Sequence, residues 1–213
     1  MVQKRSKPTE ARPRGRPRQY DPERALGAAA KVFWKKGYAA ASLDDLAAAT
    51  GMNRPSLYAA FGDKRDLYLK TLARYREQSR AGTLRLLDDN PPLRVFLKRY
   101  YDAALDIYLS SGDDARGCYS ISTAPAQATT DPGVRAFLAE SFGATDAFLT
   151  GLIRKARERG EIAASAEPVA LARVATATLH TIAVRSRAGV SRKELEALVA
   201  GAVDVICGSP PRP

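Results

Sequence analysis

Two short amphipathic segments lie side by side in residues 42–63, and each carries its own start and stop signals. In the first segment, Ser42 stands three residues before Asp45, which is the spacing of a capping box, and apolar residues recur at helical spacing until Gly51. In the second segment, Asn53 is an N-cap candidate, and the proline two residues later is tolerated only in the first turn of a helix. Two short helices joined by a glycine turn, behind a longer helix, predict a three-helix helix-turn-helix unit.

Helical periodicity accounts for the chain beyond residue 20 and predicts an all-α fold without strands or internal repeats. The first helix begins with Asp21 as its N-cap and Pro22 as its first residue, and Gly37 is expected to end it. Proline, glycine and capping signals divide the remainder. The further helices are predicted at 64–87, 93–109, 131–160, 168–188 and 191–207, with a weakly patterned stretch at 118–130 that Pro125 interrupts.

The positive charge of the chain is concentrated in its first part. Of the net charge of +11, from 34 Lys and Arg against 23 Asp and Glu, the first 80 residues contribute +10 and the remaining 133 only +1. Residues 1–20 combine basic residues and proline without apolar periodicity, which predicts a disordered basic arm. A basic head on a neutral body indicates a nucleic-acid partner. With no secretory signal and no apolar stretch long enough to span a bilayer, we expect a cytoplasmic protein without a membrane partner.

The cysteines and the histidine offer little material for a metal site or a catalytic centre. Cys118 and Cys207 are 89 positions apart, and His180 is the single histidine. The sequence has no CxxC or HExxH motif, so we expect no metal and no cofactor. Since no nucleophile signature surrounds Cys118, the chain is not expected to be an enzyme.

The segment 41–64 resembles the DNA-binding signature of the TetR/AcrR family of bacterial transcription regulators, together with the aromatic run 33–38 before it and residues 66–68 after it. An ordinary helical hairpin would explain the leucines and the glycine, but not the serine, the Pro-Ser pair, the tyrosine and the lysine at family spacing. The resemblance implies a homodimeric regulator, most often a repressor. It also implies a helix-turn-helix DNA-binding domain at residues 21–66 and a helical effector-binding and dimerisation domain at residues 67–213.

The second helix of the helix-turn-helix is expected to enter the major groove of DNA with its N-terminal end. Arg54 and Ser56 are therefore candidates for reading bases, because an arginine presents two parallel donors to guanine O6 and N7. Pro55 would pack against the DNA backbone or a thymine methyl group. By resemblance to the family, the phosphate contacts are Ser42, Tyr58 and Lys64. Alanines at positions 59 and 60 leave few side chains for direct readout.

The basic arm contains Pro13-Arg14-Gly15-Arg16-Pro17, which is similar to the core of an AT-hook. In such a strip the glycine lets the backbone lie flush with the narrow minor groove of A·T-rich DNA, and the arginines are attracted by the negative potential there. Arg14, Arg16 and Arg18 are thus candidate DNA contacts. A solvated basic tail that adds only counterion-release affinity explains the same residues equally well.

The body should supply dimerisation and, by resemblance to the family, an effector pocket. The last two helices carry apolar stripes, and in the family these helices form a four-helix interface. The stripes are Leu171, Val174, Ala175, Thr178 and Ile182 in one helix and Leu195, Leu198, Val199, Ala202, Val203 and Ile206 in the other. Packing of both stripes into the core of their own subunit is the alternative.

Aromatic residues between the head and the last two helices are the candidates for the pocket. Each taken singly is more typical of a core, but together they offer an apolar lining with occasional phenol hydrogen bonds. The candidates, with one thiol, are Phe96, Tyr100, Tyr101, Tyr108, Cys118, Tyr119, Phe137 and Phe142.

The function expected from these features is sequence-specific binding to a palindromic double-stranded DNA operator, relieved by a small-molecule effector of unknown identity. One alternative is a regulator that senses oxidants or electrophiles through Cys118, whose pKa a nearby arginine would lower. The alternative from another class is an architectural protein that coats A·T-rich DNA.

Overall fold

The chain is helical throughout the part that the computed structural model describes, residues 20–110 and 117–208. These residues form nine helices and no strand, which confirms the all-α fold class. The helices are α1 Pro22–Ala40, α2 Leu43–Thr50, α3 Arg54–Phe61, α4 Lys64–Arg85, α5 Leu93–Leu109, α6 Tyr119–Ala128, α7 Pro132–Glu158, α8 Pro168–Arg187 and α9 Arg192–Cys207. Within these two ranges, no helix combines the length and the apolar character that crossing a bilayer requires.

Local capping chemistry sets the limits of α2 and α3. The hydroxyl of Ser42 accepts a hydrogen bond from the backbone N–H of Asp45, whose carboxylate accepts one in return from the backbone N–H of Ser42, as the capping-box spacing predicts. Gly51 then ends α2 with φ +68°, a left-handed conformation that costs glycine little. Asn53 starts α3 by accepting from the backbone N–H of Ser56 at 2.8 Å.

Helix α1 does not end at Gly37, where the sequence predicted its end. Gly37 interrupts the helix with φ +77°, and one further turn continues to Ala40. Because this left-handed conformation is accessible to glycine at low cost, the residue produces a kink instead of a stop. The kink leads into Ala41, which is buried, and into the cap of α2.

The described residues bury two apolar cores. The first core contains Phe33, Leu46 and Phe61 of the head, together with residues of α4, α6 and α7. The second core is built mainly from α5, α7, α8 and α9. Tyr75 of α4 packs against both cores. Since the first core continues from the head into α6 and α7, packing alone does not mark a limit at residue 66, and the domain boundary there stays a prediction.

Helix α6 forms in the stretch whose sequence pattern is weak. Pro125 lies inside the helix, where it removes a backbone donor. The helix is held by its inner face, since Tyr119, Thr123 and Ala124 are all buried. Tertiary packing therefore outweighs poor helix propensity in this segment.

Candidate nucleic-acid interface and buried polar cluster

The start of α3 presents a polar, exposed face. Arg54, Pro55 and Ser56 are exposed there, whereas Leu57 and Phe61 turn inward and are buried. Tyr58 lies one turn further along with 46% of its surface exposed, a large fraction for an aromatic side chain. The helix thus anchors one face in the head and leaves its N-terminal turn free to meet another molecule.

The side chain of Arg54 is held in one orientation by a carboxylate of the preceding helix. Its Nε donates to Asp44 Oδ1 at 2.9 Å and its Nη2 to Asp44 Oδ2 at 2.5 Å. These hydrogen bonds and the charge of Asp44 raise the pKa of Arg54 above its ordinary value. Sequence reasoning missed Asp44. Its only signal was an acid in the first turn of α2, and the packing of α2 against α3 brings that acid to Arg54.

Ser42 is exposed at the N-terminus of α2, and its hydroxyl oxygen accepts from Asp45 N at 3.1 Å. The hydroxyl proton is left available for a phosphate oxygen. Asp45 is in turn paired with Lys36 of α1 at 2.6 Å. Hydrogen bonds from Lys36 and from Ser42 lower the pKa of Asp45 to about 2, so this end of α2 is fixed by a charged network.

Lys64 differs from the other predicted phosphate contacts because it is half-buried. Its Nζ donates to the backbone oxygen of Ala39 at 3.3 Å and lies 4.7 Å from the ring centroid of Tyr38. Burial lowers the pKa of Lys64. The side chain therefore closes the end of α1 and retains further ammonium N–H donors for another acceptor. The remaining predicted contacts, Arg14, Arg16 and Arg18, lie outside the described residues.

The predicted pocket residues fall into two groups. Phe96, Tyr101, Tyr108 and Cys118 belong to the second core, where Tyr100 packs against them. Tyr119, Phe137 and Phe142 belong to the first core. The structure therefore brings together the first group around Cys118 and separates it from most of the second.

Three phenols share the second core with the thiol of Cys118. The hydroxyl of Tyr75 donates to Cys118 Sγ at 3.6 Å, Tyr108 is buried in the same core as Cys118, and Tyr100 packs against that core. Burial raises the pKa of all three tyrosines, so they are neutral at physiological pH. We call Tyr75, Tyr100, Tyr108 and Cys118 the phenol cluster. Tyr75 was not among the predicted pocket residues, although it lies within the predicted effector-binding domain at residues 67–213.

Cys118 is 9% exposed and is enclosed by these neutral phenols. The arginine expected to activate it, Arg116, lies outside the described residues. A thiol this buried lacks the solvent access that favours reaction with an oxidant. Regulation through oxidation of Cys118 is therefore not favoured.

A line of polar contacts joins α4 to α6 and to the start of α7. The residues of α4 that take part recur on one face at about one-turn intervals. We call these four contacts the α4 seam: Arg65 with Asp131 at 2.6 and 2.9 Å, Tyr68 with Thr123 at 2.7 Å, Thr71 with Tyr119 at 2.7 Å and Tyr75 with Cys118 at 3.6 Å. The α4 seam connects the head directly to the phenol cluster.

The apolar stripes predicted for dimerisation lie mostly inside their own subunit. Leu195, Val199 and Val203 are buried in the second core, as are Ala175 and Ile182 of α8. An adjacent face of the same two helices, which includes Val174 of the predicted stripe, is exposed. It carries small and β-branched residues: Val169, Ala170, Val174, Ala177 and Val184 on α8, and Ala197, Ala200, Gly201 and Val205 on α9. We call these nine residues the α8/α9 face.

Within residues 20–110 and 117–208, no group of three or more His, Cys, Asp or Glu is placed to hold a metal ion. His180, the single histidine of the chain, is half-buried against the ring of Phe142 at a centroid distance of 4.7 Å. Burial lowers its pKa.

Two family models match the chain in the order of its two parts. Residues 25–71 match the model described as bacterial regulatory proteins, tetR family, and residues 93–202 match the tetracyclin repressor-like C-terminal domain. The chain is 29% identical over 183 residues to the HTH-type transcriptional repressor ComR of Escherichia coli (strain K12), a match covering 85% of this chain and 87% of that protein. It is 33% identical over 149 residues to the uncharacterized HTH-type transcriptional regulator YezE of Bacillus subtilis (strain 168), covering 70% and 76%.

Solved structures give the same result for the fold. A cysteine mutant of the TetR family transcriptional regulator CifR, complexed with 26-bp double-strand operator DNA, superposes with a TM-score of 0.77 at 31% identity, covering 88% of this chain and 98% of that one. The reduced form of NemR from E. coli superposes with a TM-score of 0.74 at 20% identity, covering 89% and 98%, and supports the fold alone.

Proposed function

The chain belongs to the TetR family of bacterial transcriptional regulators and is a DNA-binding regulator, and from that premise we propose that it is a cytoplasmic, homodimeric repressor relieved by a small neutral effector. The observation that carries the DNA-binding role is the exposed polar start of α3, where Arg54 and Ser56 face outward. Similarity to the repressor ComR over 85% of the chain supports repression. We assign no catalytic step to the chain.

In the proposed complex, α3 enters the major groove with Arg54 reading one guanine and Ser56 contacting a neighbouring base edge. Pro55 packs beside them against the DNA backbone or a thymine methyl group. The hydroxyl of Tyr58 and that of Ser42 each bind a phosphate and set the register of the helix. Lys64 contributes its remaining donors to a phosphate. In the arm, Arg14, Arg16 and Arg18 add affinity along the adjacent groove.

A second copy of the chain covers the α8/α9 face in this proposal. Val184 and Val205 are 58% and 68% exposed in the single chain, which is unusual for valine on two neighbouring helices. Alanine and glycine between them let a symmetry-related pair of helices approach closely. Two-fold symmetry then sets two copies of α3 about 34 Å apart or more, which fits a palindromic operator.

The phenol cluster is the proposed effector site. Its three phenols are neutral and its surroundings are apolar, so the site favours an uncharged, partly apolar molecule with one or two hydrogen-bonding atoms. Phe96 stacks on Tyr100 at a centroid distance of 5.7 Å and supplies an aromatic wall. A charged effector would lose its hydration there, and none of the four side chains of the phenol cluster offers a charge to pair with it.

The α4 seam offers a direct connection between the two sites. An effector that takes hydrogen bonds from Tyr75 or Cys118 competes with the last contact of the seam, and α4 also carries the first residues after the helix-turn-helix. The effector then favours a subunit arrangement in which the two copies of α3 no longer match the operator half-sites. By reciprocity, operator DNA weakens effector binding by the same factor.

Two measurements test this function. Selection from a random double-stranded DNA pool, followed by salt-titrated binding, should give a palindromic site with a specificity ratio of ~10³ or more over scrambled DNA. A ratio near one would instead identify an architectural DNA-binding protein. The ring centroid of Trp34, the single tryptophan, lies 5.8 Å from that of Tyr75 and 5.6 Å from that of Tyr119. Its fluorescence should therefore report the effector in a screen of small neutral aromatic compounds, and compounds that change it should release the operator.

A further inference from the structure

The pairing of Arg54 with Asp44 has a geometry that bears on base recognition. Arg54 is the first residue of α3 and Asp44 is in the first turn of α2, and their side chains meet across the helix-turn-helix. Both side chains are exposed, at 54% and 74%. An ion pair this exposed adds little to folding stability. Its effect is on the orientation of Arg54, whose long side chain otherwise samples many rotamers.

The two hydrogen bonds to Asp44 decide which donors of Arg54 remain. A guanidinium has five N–H groups, and Asp44 takes the one on Nε and one of the two on Nη2. The remaining three lie on the edge of the guanidinium away from Asp44. Two of them, one on each terminal nitrogen, are parallel and match guanine O6 and N7. The carboxylate of Asp44 thus occupies the side of the guanidinium formed by Nε and Nη2. The end formed by the two terminal nitrogens stays free.

We infer that Asp44 is a positioning residue that holds Arg54 in the end-on orientation and thereby sets the preference for guanine at one operator position. The inference rests on the proposed function, since it requires α3 to read DNA. Asp44 also lowers the overall affinity for DNA, because its charge repels phosphates and because it keeps Arg54 from binding one. Asp44 therefore lowers the affinity for non-specific DNA and raises the selectivity for guanine at one position.

The test selects bound sequences from a random DNA pool with the wild-type protein, Arg54→Ala, Asp44→Ala and Asp44→Asn. The operator position that loses guanine in Arg54→Ala identifies the base that Arg54 reads. At that position, Asp44→Ala should lose about fivefold to tenfold of its guanine preference, with other positions unchanged. Asp44→Asn keeps one acceptor oxygen, so its guanine preference should lie between those of Asp44→Ala and the wild type. When Arg54 is already alanine, adding Asp44→Ala should leave the base preference unchanged. If Asp44 acted only by supporting the fold of the head, the added substitution would still change the base preference.

Affinity for scrambled DNA supplies the second readout. Asp44→Ala should bind scrambled DNA more tightly than the wild type. Because Arg54 then turns to a phosphate, the slope of log affinity against log salt concentration should steepen by up to about 0.9. The matched control is Glu77→Ala, which also removes one acidic partner of an exposed arginine, Arg80, from α4. It should leave guanine preference unchanged.

The outcomes separate the inference from the proposed function. If the wild type selects a site and Asp44→Ala selects it with the same guanine preference, the inference is wrong and the proposed function stands. If Arg54→Ala alters no position, the inference and the proposed base contact of Arg54 are both wrong, while the role as a DNA-binding regulator stands. If the wild type selects no sequence, both are wrong. Helical circular dichroism of each variant confirms that the head is folded in every comparison.

Discussion

The contact between Arg65 and Asp131 lends itself to the sharpest prediction, because Asp131 has two separable roles. Its Oδ1 caps α7 by accepting from the backbone N–H groups of Gly133 at 2.8 Å and Val134 at 3.1 Å. The carboxylate also accepts two hydrogen bonds from Arg65, from Nη2 to Oδ1 and from Nε to Oδ2. Asp131→Asn with its oxygen at the Oδ1 position keeps the cap and places an amide N–H group against Nε of Arg65, while Asp131→Ala removes both roles.

The structure sets the magnitude of each effect. Hydrogen bonds from Arg65, with those from the two capping N–H groups, lower the pKa of Asp131 from 3.8 to about 2, which corresponds to at most ~2.5 kcal/mol. Because the Arg65 side chain is 43% exposed, solvent screens the pair, and we expect Asp131→Asn to lower the free energy of unfolding by ~1 kcal/mol. Loss of the cap adds ~1 kcal/mol in Asp131→Ala. For a chain of this size each ~1 kcal/mol lowers Tm by ~2–4 °C.

The dependence on pH has a definite sign. The pKa of Asp131 is lower in the folded state than in the unfolded state, so the unfolded state binds more protons between the two values. The stability that Asp131 supplies is therefore fully present above about pH 4 and is lost as the pH falls towards 2. The difference in Tm between the wild type and Asp131→Asn should be constant from pH 7 to 5 and should shrink below pH 4.

Thermal unfolding followed by circular dichroism at fixed protein concentration measures these differences, since a dimer's Tm depends on concentration. Arg65→Ala and the double variant complete a thermodynamic cycle in which the coupling between the two residues should be ~0.5–1 kcal/mol. An Asp131→Asn variant as stable as the wild type at pH 7, or a difference that does not change between pH 7 and pH 3, would refute the reasoning.

Four further predictions follow from other parts of the molecule. Val205→Glu should disrupt the α8/α9 face and shift the protein to monomers in sedimentation at micromolar concentration, and an unchanged dimer would place the interface elsewhere. Deletion of residues 1–18 should weaken operator binding, and an equal loss on A·T-flanked and G·C-flanked operators would leave the arm as a simple basic tail. Gly62→Ala should cost ~1–3 kcal/mol in urea unfolding, because φ is +83° there and a Cβ would meet the Asp66 carboxylate, so a neutral effect would contradict this geometry. Cys118→Ser should keep its response to a neutral effector, whereas loss of an oxidant response in that variant would restore the redox hypothesis.

The sequence predicted the helices whose ends are set by neighbouring residues. Ser42 with Asp45 and Ser191 with Glu194 both form the capping boxes that their spacing indicates, since such contacts involve only residues three positions apart. Helix α6 could not be predicted in this way. Its buried face satisfies contacts with α4, 48 to 55 positions away in sequence, and Pro125 argues locally against it.

The residues of the candidate site also differ in whether local sequence or tertiary packing identifies them. Position in the helix-turn-helix was enough to select Arg54 and Ser56, and the family resemblance added Tyr58; the structure places all three on the exposed face. The partner of Arg54 was missed because helical periodicity states which face a residue occupies, not which residue of a neighbouring helix it meets. Most residues of the two stripes lie in the subunit's own core, the alternative stated for them, because the strongest apolar period marks the face that packs there.

The sequence by itself determined the class of fold, the helix-turn-helix and the concentration of positive charge in the head, because caps, period and charge are local properties. Only the tertiary structure decided which residues act together. It grouped Tyr75 with Cys118, placed Phe137 in a different core from Cys118 and Tyr108, exposed Val184 and Val205, and oriented Arg54 through Asp44. These arrangements depend on how helices far apart in sequence pack and cross, and that packing is decided by the whole of the two cores together.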